Sequence, residues 1–408
     1  MSQADFDFGI GSMRNDNPSR PELFPPPEPP PAPSPATEYR KAGIIPSQGL
    51  AELIRSGEVA SLAGIEPSQI QPASIDLSLG ARAYRVQASF LPGSGSTVMD
   101  RVARLDGLPP IDLSETAVLE RGAVYVIEIS ESLRLANGIE GAANPKSSTG
   151  RLDVLTRLIT DRATAFDRVE KGYKGPLYVE VAPLSFSVVV RRGTRLNQLR
   201  LYRGSPDLSA SEVARLYADG QLARAPWGVP LPLRGHYVPV SVDLGIDEHT
   251  IIGFKAKKNA KKIDVDLVAA YDPVEFWEPI YSLSGTLNLD RGDFYILATR
   301  EEIGVPPHLA AEMVPYDPSS GEFRVHYAGF YDPGFGWNGR AAGSRAVLEV
   351  RSYGVSFTLE HGQIVGWLNY GWIGTGRPDK IYGTEIKSNY QGQGLALSKH
   401  FKPWPSLL

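Results

Sequence analysis

At 408 residues, the chain is long enough for two domains of ordinary size, each with its own core. It contains no cysteine, which excludes disulfides and thiolate chemistry and favours a reducing, cytoplasmic location. Its formal net charge of −4 argues against a nucleic-acid polymer as partner, and no run of about 18 apolar residues predicts a membrane span.

The N-terminal segment, residues 1–41, is rich in proline, above all between residues 25 and 35. Because it has almost nothing apolar to bury, it is predicted to be a disordered or polyproline II tail. The next segment, 47–58, has the periodicity of a short amphipathic helix, with Leu50 and Leu53 on one face.

From Gln71 onward, short β-branched or aromatic runs alternate with turn residues, which is typical of an all-β sandwich or barrel. The clearest predicted strands are 124–129, 177–181, 186–190, 294–297, 347–350 and 355–359. Ser209 and Glu212 form a capping-box pattern, so a helix is predicted to begin there and to end at Gly220. A solvated rim is expected for four arginines, Arg191, Arg192, Arg195 and Arg200.

Three short strings occur twice, in the same order and roughly 170 residues apart, which is the mark of a duplicated unit. The pairs are 73–77 with 240–244, 119–125 with 289–295, and 178–181 with 347–350. This period suits a whole domain rather than a solenoid repeat. We therefore expect a first copy at 42–205, a linker at 206–235, a second copy at 236–375 and a C-terminal tail at 376–408.

Each copy places one glutamate inside an apolar, strand-like run, Glu180 in the first copy and Glu349 in the second. A carboxylate held in such a strand is suited to general acid–base chemistry. An outward-facing residue of an edge strand gives the same pattern, so both interpretations stay open at this point. Zinc chemistry is not expected, because cysteine is absent and the six histidines form no pair at metal-ligand spacing.

Three further strings resemble motifs of the dUTPase and dCTP deaminase superfamily. Residues 145–151 (Pro-Lys-Ser-Ser-Thr-Gly-Arg) resemble its phosphate motif, 327–336 its nucleoside hairpin and 390–398 its C-terminal closing segment. The Ser-x-Asp-Leu and Leu-Glu-Val strings fit an early strand and the catalytic strand of dCTP deaminases. Together with the duplication, the order of these motifs over 44–400 resembles a fused two-copy dCTP deaminase.

This resemblance implies an all-β fold of two tandem dUTPase-like distorted β-barrels, of the β-clip or jelly-roll kind, with a few short helices. It implies zinc-independent hydrolysis of dCTP to dUTP and ammonia, feeding dUMP and dTTP synthesis. The partner would be a small nucleotide, with Mg²⁺ carried by its triphosphate and no metal held by the protein. The resemblance also implies a homo-oligomer, with neither a nucleic-acid polymer nor a membrane as partner.

The motifs are preserved in complementary ways, which favours one composite site. The phosphate string is intact at 145–151 but displaced in its counterpart at 318–324, whereas the hairpin is intact at 327–336 but stretched at 165–175. In the superfamily the site resembles a seam between neighbouring barrels. The predicted site therefore combines Lys146, Ser147, Ser148 and Arg151 with Ala328, Asp332 and Glu349, closed by Lys387, Tyr390 and Gln393.

The resemblance also implies a role for each residue. Glu349 would be the general base and proton shuttle, Ser147 would orient the water, and Arg151 would offset charge. The others would bind the nucleotide: Asp332 the sugar 3′-hydroxyl, the Ala328 backbone the cytosine edge, Tyr390 the sugar, and Lys146, Ser148, Lys387 and Gln393 the phosphates. Glu180 is the second catalytic candidate, and it would matter if like barrels formed rings of three with a site in each copy type.

Two other functions stay open. A bifunctional deaminase–diphosphatase, or a dUTPase, would use Asp332 to activate a water at the α-phosphate. A non-catalytic nucleotide-sensing module is a third possibility, although the two strand glutamates and the intact phosphate string argue against it. Analysis of the products distinguishes the three.

Overall fold

A computed structural model describes residues 42–405, except 106–108, 246–248, 283, 315–322, 326–328, 375 and 386–389, and it describes only the backbone of 105 and 323–325. The predicted N-terminal tail and the site residues Ala328 and Lys387 lie outside the described residues.

The described chain is mostly β-strand with few helices, as the sequence predicts. The helices are α1 Ser47–Arg55, α2 Val98–Leu105, α3 Ser147–Gly150 and α4 Ala210–Ala218, with 3₁₀ turns at Pro67–Gln69 and Pro273–Glu275. The capping box predicted for α4 is present, since Ser209 Oγ accepts from Glu212 N–H and the Glu212 carboxylate accepts from Ser209 N–H. In the part of the chain that the structure describes, no helix is long and apolar enough to cross a membrane.

The strands fall into one set before helix α4 and one set after it, and the first strand of the later set lies in the predicted linker and pairs with a strand of the second copy. Those up to residue 203 are β1 Gly43–Ile44, β2 Val59–Ser61, β3 Ile75–Leu77, β4 Leu79–Val86, β5 Ile111–Asp112, β6 Ala117–Leu119, β7 Val124–Arg134, β8 Ile139–Pro145, β9 Val154–Thr160, β10 Arg168–Val169, β11 Lys174–Pro183, β12 Val188–Val190 and β13 Asn197–Arg203. Those that follow are β14 Ala223–Arg224, β15 Tyr237–Ser241, β16 Gly253–Ala256, β17 Ile263–Asp264, β18 Trp277–Ile280, β19 Thr286–Leu289, β20 Phe294–Ile303, β21 Leu309–Val314, β22 Phe323–Val325, β23 Phe330–Tyr331, β24 Arg345–Ser352, β25 Phe357–Glu360 and β26 Ile364–Trp372.

The same strand order occurs twice. In the first copy, β4, β7, β11 and β9 follow one another in one sheet, and β3 pairs with β13 of the sheet that continues through β8 to β10. In the second copy, the corresponding orders are β16-β20-β24-β22 and β15-β26-β21-β23. Glu180 on β11 pairs with Val126, which follows Tyr125 of the repeated string. Glu349 on β24 pairs with Ile296, which follows the corresponding Tyr295. The two glutamates therefore occupy matching positions.

The two copies share a sheet and a core. Strand β12 lies between β6 of its own copy and β17 of the second copy, with Val188 opposite Ile263. Phe186 packs against Phe276 and Trp277, with ring centroids 5.7 and 5.5 Å apart. Apolar burial therefore holds the copies together in the orientation that determines the cavity described below.

The C-terminal tail contributes to this core near its end, which nothing in its sequence indicates. Phe401 is buried, and its ring lies 5.3 Å from that of Phe276 and 5.9 Å from that of Trp277. Nearby, the Trp404 ring lies 4.8 Å from that of Phe254. Residues 390–405, called the closing segment below, are thus anchored at their far end.

Candidate active site

A cavity of about 160 Å³ lies where the two copies meet the closing segment. Its lining includes Glu349 and twelve residues of the three predicted motifs: Pro145, Lys146, Ser147, Ser148, Arg151, Gly329, Phe330, Tyr331, Asp332, Phe335, Tyr390 and Gln393. The described residues of the predicted composite site therefore come together within one chain, whereas Glu180, the second catalytic candidate, is not among the lining residues.

The phosphate string forms a single helical turn between two strands. Strand β8 ends at Pro145, and the Lys146 N–H donates to the Leu196 carbonyl at 2.9 Å, which fixes the start of the turn. The Arg151 N–H donates to the Ser147 carbonyl at 3.1 Å, so these two residues are one helical turn apart. Side chains with this spacing lie on the same side of a turn, which explains why Ser147 and Arg151 both line the cavity.

Glu349 is the buried carboxyl group of the cavity. It projects from β24 with 5 % exposure, and its Oε1 lies 4.0 Å from Nε of Arg151. Burial raises the pKa of Glu349 from its usual 4.5 to about 8, and the Arg151 charge only partly opposes this shift. Tyr331 faces the same carboxyl, and its pKa is raised by burial and by that negative charge. A carboxyl with such a pKa can both take up and return a proton near neutral pH.

Arg151 is held by the closing segment. Its Nη2 donates to Gln393 Oε1 at 2.9 Å, its Nη1 donates to the Ala396 carbonyl at 3.1 Å, and its guanidinium lies 3.9 Å from the Tyr390 ring centroid. Gln393 in turn donates from Nε2 to the Arg345 carbonyl at 3.0 Å. Gln393 therefore links the phosphate string to the start of β24, and its predicted phosphate contact stays a prediction.

Asp332 lies against a buried arginine that was expected at the surface. Arg200 is 4 % exposed, its Nη2 lies 3.5 Å from Asp332 Oδ1, and its guanidinium lies 4.0 Å from the Phe330 ring centroid. The predicted solvated rim is therefore wrong for Arg200, because the hairpin of the second copy covers it. Burial raises the pKa of Asp332 from 3.8 to about 6, Arg200 opposes the shift, and the charge of Asp76 adds to it.

Other cavity residues were missed as site residues. Asp76, in the repeated Ser-x-Asp-Leu string, is buried and forms an ion pair with Lys146, so the Lys146 charge is already partly offset. Lys399 also lines the cavity, and burial lowers its pKa. Gln71, Gln198 and Tyr382 line the cavity as well. The repeated string was a signal for Asp76, but nothing in the spacing of Lys399 distinguishes it from a surface lysine.

Glu180 lies outside the cavity, although it matches Glu349 in the repeat. Arg157 donates from Nε to Glu180 Oε1 at 3.0 Å and from Nη2 to Ser89 Oγ at 2.6 Å. Its guanidinium lies 3.8 Å from the Phe166 ring centroid. Helix α2 packs on the same sheet, where Val98 and Val102 join an apolar cluster with strand residues Val126 and Tyr178. The matching site of the first copy is thus filled by an ion pair and an apolar cover.

The geometry defines a class of protein. A buried carboxyl that exchanges a proton near neutral pH, beside hydroxyls and cations in a small polar cavity, is suited to hydrolysis of a small anionic substrate. Within the described residues, no group of three or more histidine and carboxylate side chains is arranged to hold a metal ion.

Comparisons with known proteins give the family. A model of the 2′-deoxycytidine 5′-triphosphate deaminase N-terminal domain matches residues 41–205, and one of the C-terminal domain matches 213–401. The crystal structure of 2′-deoxycytidine 5′-triphosphate deaminase from Agrobacterium tumefaciens is 46 % identical, with a TM-score of 0.77 over 83 % of this chain and 100 % of that chain. The chain belongs to the 2′-deoxycytidine 5′-triphosphate deaminase family.

Curated relatives match over shorter stretches. The dCTP deaminase of Halorubrum lacusprofundi is 30 % identical over 132 residues, 32 % of this chain, and the chain spans 62 % of that relative's length. The "dCTP deaminase, dUMP-forming" of Salinispora arenicola is 27 % identical over 164 residues, which are 39 % of this chain and 79 % of the relative.

Proposed function

We propose that this chain hydrolyses dCTP to dUTP and ammonia in one composite site between its two copies. The observation that carries the proposal is the buried Glu349 carboxyl, with its pKa raised to about 8, beside Arg151 of the intact phosphate string. Membership of the dCTP deaminase family supports the same substrate. The two copies are proposed to be dUTPase-like β-barrels at 42–205 and 236–375, joined by the linker at 206–235 and followed by the tail at 376–408.

The reaction needs a proton to leave water and a proton to reach the departing amine. Glu349 in its carboxylate form takes a proton from water, and the resulting hydroxide adds to C4 of cytosine. The protonated Glu349 then gives that proton to the C4 amino group, the C4–N bond breaks and ammonia leaves, and the proton of the new C4 hydroxyl passes to N3, which gives the C4 carbonyl of dUTP. Ser147 orients the attacking water. Arg151 lowers the pKa of Glu349 and so favours its carboxylate form.

The substrate is proposed to be dCTP with Mg²⁺ on its triphosphate oxygens, since Mg²⁺ usually binds through phosphates with few protein ligands. Asp332 accepts a hydrogen bond from the sugar 3′-hydroxyl, and Tyr390 packs on the sugar. Lys146, Ser148, Lys387 and Gln393 are proposed to bind phosphates, and the Ala328 backbone the cytosine edge. Homo-oligomerisation and a cytoplasmic location stay predictions.

Product analysis tests the proposal. Purified protein with Mg²⁺ and dCTP should release ammonia and dUTP in equal amounts, and no ammonia from dCTP would contradict it. A second candidate, formation of dUMP and pyrophosphate as well, is favoured by the one relative named as dUMP-forming. In that case pyrophosphate would appear with the ammonia, and its release from added dUTP would identify a diphosphatase step.

A further inference from the structure

A second ion pair crosses the seam beside Arg151 and Glu349. Arg351 lies two residues after Glu349 on β24, and its guanidinium donates to the carboxylate of Asp153, two residues after Arg151. Alternate residues of a strand share one face, so Glu349 and Arg351 face the first copy together. Two ion pairs therefore lie side by side between the copies. The first copy supplies the cation of one pair and the anion of the other.

The second pair is buried and bound on several sides. Asp153 is fully buried and Arg351 is 8 % exposed. Ser185 Oγ donates a hydrogen bond to Asp153 Oδ2 at 2.6 Å and accepts one from Arg351 Nη2 at 3.1 Å. Arg351 also donates to the Gly292 carbonyl. The pair thus connects β24, the turn before β20, the turn before β9 and the turn after β11.

The backbone at Asp153 is unusual. Its φ is 57°, in the left-handed region that non-glycine residues seldom adopt. The Asp153 N–H donates to the Gly150 carbonyl at 2.8 Å, and the Asp153 carbonyl accepts from Leu184 N–H at 2.9 Å. Such a conformation persists only where the surroundings determine it, and here it aims the carboxylate at Arg351.

The Arg151–Glu349 contact does not fix its own geometry. At 4.0 Å it is an ion pair without a hydrogen bond, so its attraction is poorly directional. The Asp153–Arg351 pair is a charge-assisted hydrogen bond between forked groups, which is strong and directional. Neither residue of this second pair is among the residues that line the cavity, so a role in the reaction would act through Glu349.

We propose that Asp153 and Arg351 are positioning residues that set β24 against the phosphate string and thereby hold Glu349 at its distance from Arg151. The inference rests on the proposed function, in which Glu349 moves the proton. It assigns the pair no contact with the substrate. Loss of the pair should therefore lower the rate of the chemical step more than it weakens nucleotide binding.

The test uses variants that keep the fold. Asp153→Asn keeps the size of the side chain, and asparagine tolerates the left-handed conformation. Arg351→Gln removes the charge from the other side, and Arg351→Lys restores it without the fork. The matched control is Arg157→Gln, which breaks the ion pair with Glu180, the first-copy counterpart of Glu349. All are measured with Mg²⁺ and dCTP well below their unfolding temperatures.

We expect Asp153→Asn and Arg351→Gln to lower kcat by about tenfold to a hundredfold, the loss produced by a misplacement of roughly 1 Å, with KM changed less than about threefold. Arg351→Lys should recover part of kcat. Arg157→Gln should lower the unfolding temperature but leave kcat within about twofold. Equal losses of kcat in the control and in the seam variants would overturn the inference.

The pH profile separates positioning from a direct charge effect. Among the described residues, the charged or titratable groups that interact electrostatically with Glu349 are Arg151, directly after α3, and Tyr331 from β23. If Glu349 moves away from Arg151, its pKa rises, so both single variants should move the acid limb of kcat/KM to higher pH. If the lost charge acted directly on Glu349, the two variants would shift the acid limb in opposite directions. Asp153→Asn removes a negative charge and would lower the pKa of Glu349, whereas Arg351→Gln removes a positive charge and would raise it.

Opposite shifts, or no shift in either variant, would therefore overturn positioning while the wild type still deaminates dCTP. Shifts in the same direction, with the control unchanged, would support it. A wild type that releases no ammonia would instead refute the proposed function itself, and the inference would fall with it.

Discussion

Arg151 of the first copy has its Nε 4.0 Å from Oε1 of Glu349 in the second copy, and both side chains are buried. At the matching position of the first copy, Glu180 has a partner of its own, because Arg157 donates to it at 3.0 Å. Two strands at equivalent positions thus carry glutamates in different surroundings. One carboxyl has a raised pKa beside a cavity, and the other forms a closed ion pair.

The first prediction compares the two glutamates. Glu349→Gln keeps the size and hydrogen bonding of the side chain but removes the base, so kcat should fall by about 10²-fold to 10⁴-fold while dCTP still binds. Glu180→Gln should leave kcat nearly unchanged and lower stability, because it leaves Arg157 without its charged partner. Steady-state kinetics and nucleotide binding by calorimetry measure both.

A reversed ranking, with Glu180→Gln inactive and Glu349→Gln active, would show that the first copy holds a complete site. Two inactive variants would mean that each copy contributes a carboxyl group to the reaction.

The second prediction concerns pH. The pKa of Glu349 is about 8, so its base form is lost as the pH falls below that value, and kcat/KM of the wild type should fall with it. The folded protein also binds this proton more tightly than the unfolded chain does. Stability should therefore decrease as the pH rises from about 4.5 towards 8, by up to about 1.4 kcal/mol per pH unit from this group alone.

Glu349→Gln is the control for this pH dependence, since glutamine does not titrate. Its free energy of unfolding should vary less with pH over the same range, measured by urea unfolding at several pH values. Identical slopes in the wild type and the variant would contradict the raised pKa.

The fold was largely accessible from the sequence because strand periodicity and turn residues are local signals. The predicted strand 124–129 lies within β7, and 347–350 lies within β24. The capping box of Ser209 and Glu212 likewise depends on residues three apart. The shared core and the position of the closing segment depend on contacts between distant residues, such as Phe401 with Trp277. Those contacts leave no periodic signal in the chain.

Site residues could be predicted from the sequence only where they lie in recognisable motifs. Glu349, Arg151 and Asp332 lie in strings that resemble a family, and the cavity brings them together. Arg200 resembles its arginine neighbours in sequence, and only the packing of Phe330 over it shows that it is buried. Lys399 follows the closing motif with no distinguishing pattern, and the cavity alone reveals it.

The third prediction concerns the closing segment. Gln393→Ala removes the acceptor of Arg151 Nη2 and the donor to the Arg345 carbonyl, so Arg151 should lose its orientation. We expect kcat/KM to fall by about tenfold with little change in unfolding temperature, because the rest of the segment stays packed. Removal of the whole segment is a poorer test, since it would also take Phe401 out of the core.

The fourth prediction concerns metals. Dialysed protein should bind no stoichiometric zinc and should recover full activity with Mg²⁺ alone, because the proposed chemistry uses Glu349 and the Mg²⁺ arrives with the triphosphate. Metal analysis and activity after treatment with a chelator measure this. One equivalent of zinc per active chain would contradict it.

The fifth prediction concerns Asp332 and the sugar. If Asp332 accepts a hydrogen bond from the 3′-hydroxyl, Asp332→Asn should raise KM for dCTP by about tenfold, the effect of losing a hydrogen bond to a charged group. The same substitution should matter little for 2′,3′-dideoxycytidine triphosphate, which lacks that hydroxyl.

The pKa of Asp332 is about 6, so its carboxylate is lost as the pH falls below 6, and KM for dCTP should rise there in the wild type only. Arg200→Gln, which removes the cation 3.5 Å from Asp332, should move this rise in KM to higher pH, because it raises the pKa of the carboxyl further. An equal effect of Asp332→Asn on both nucleotides would place the sugar elsewhere and would favour a role for Asp332 at the phosphates.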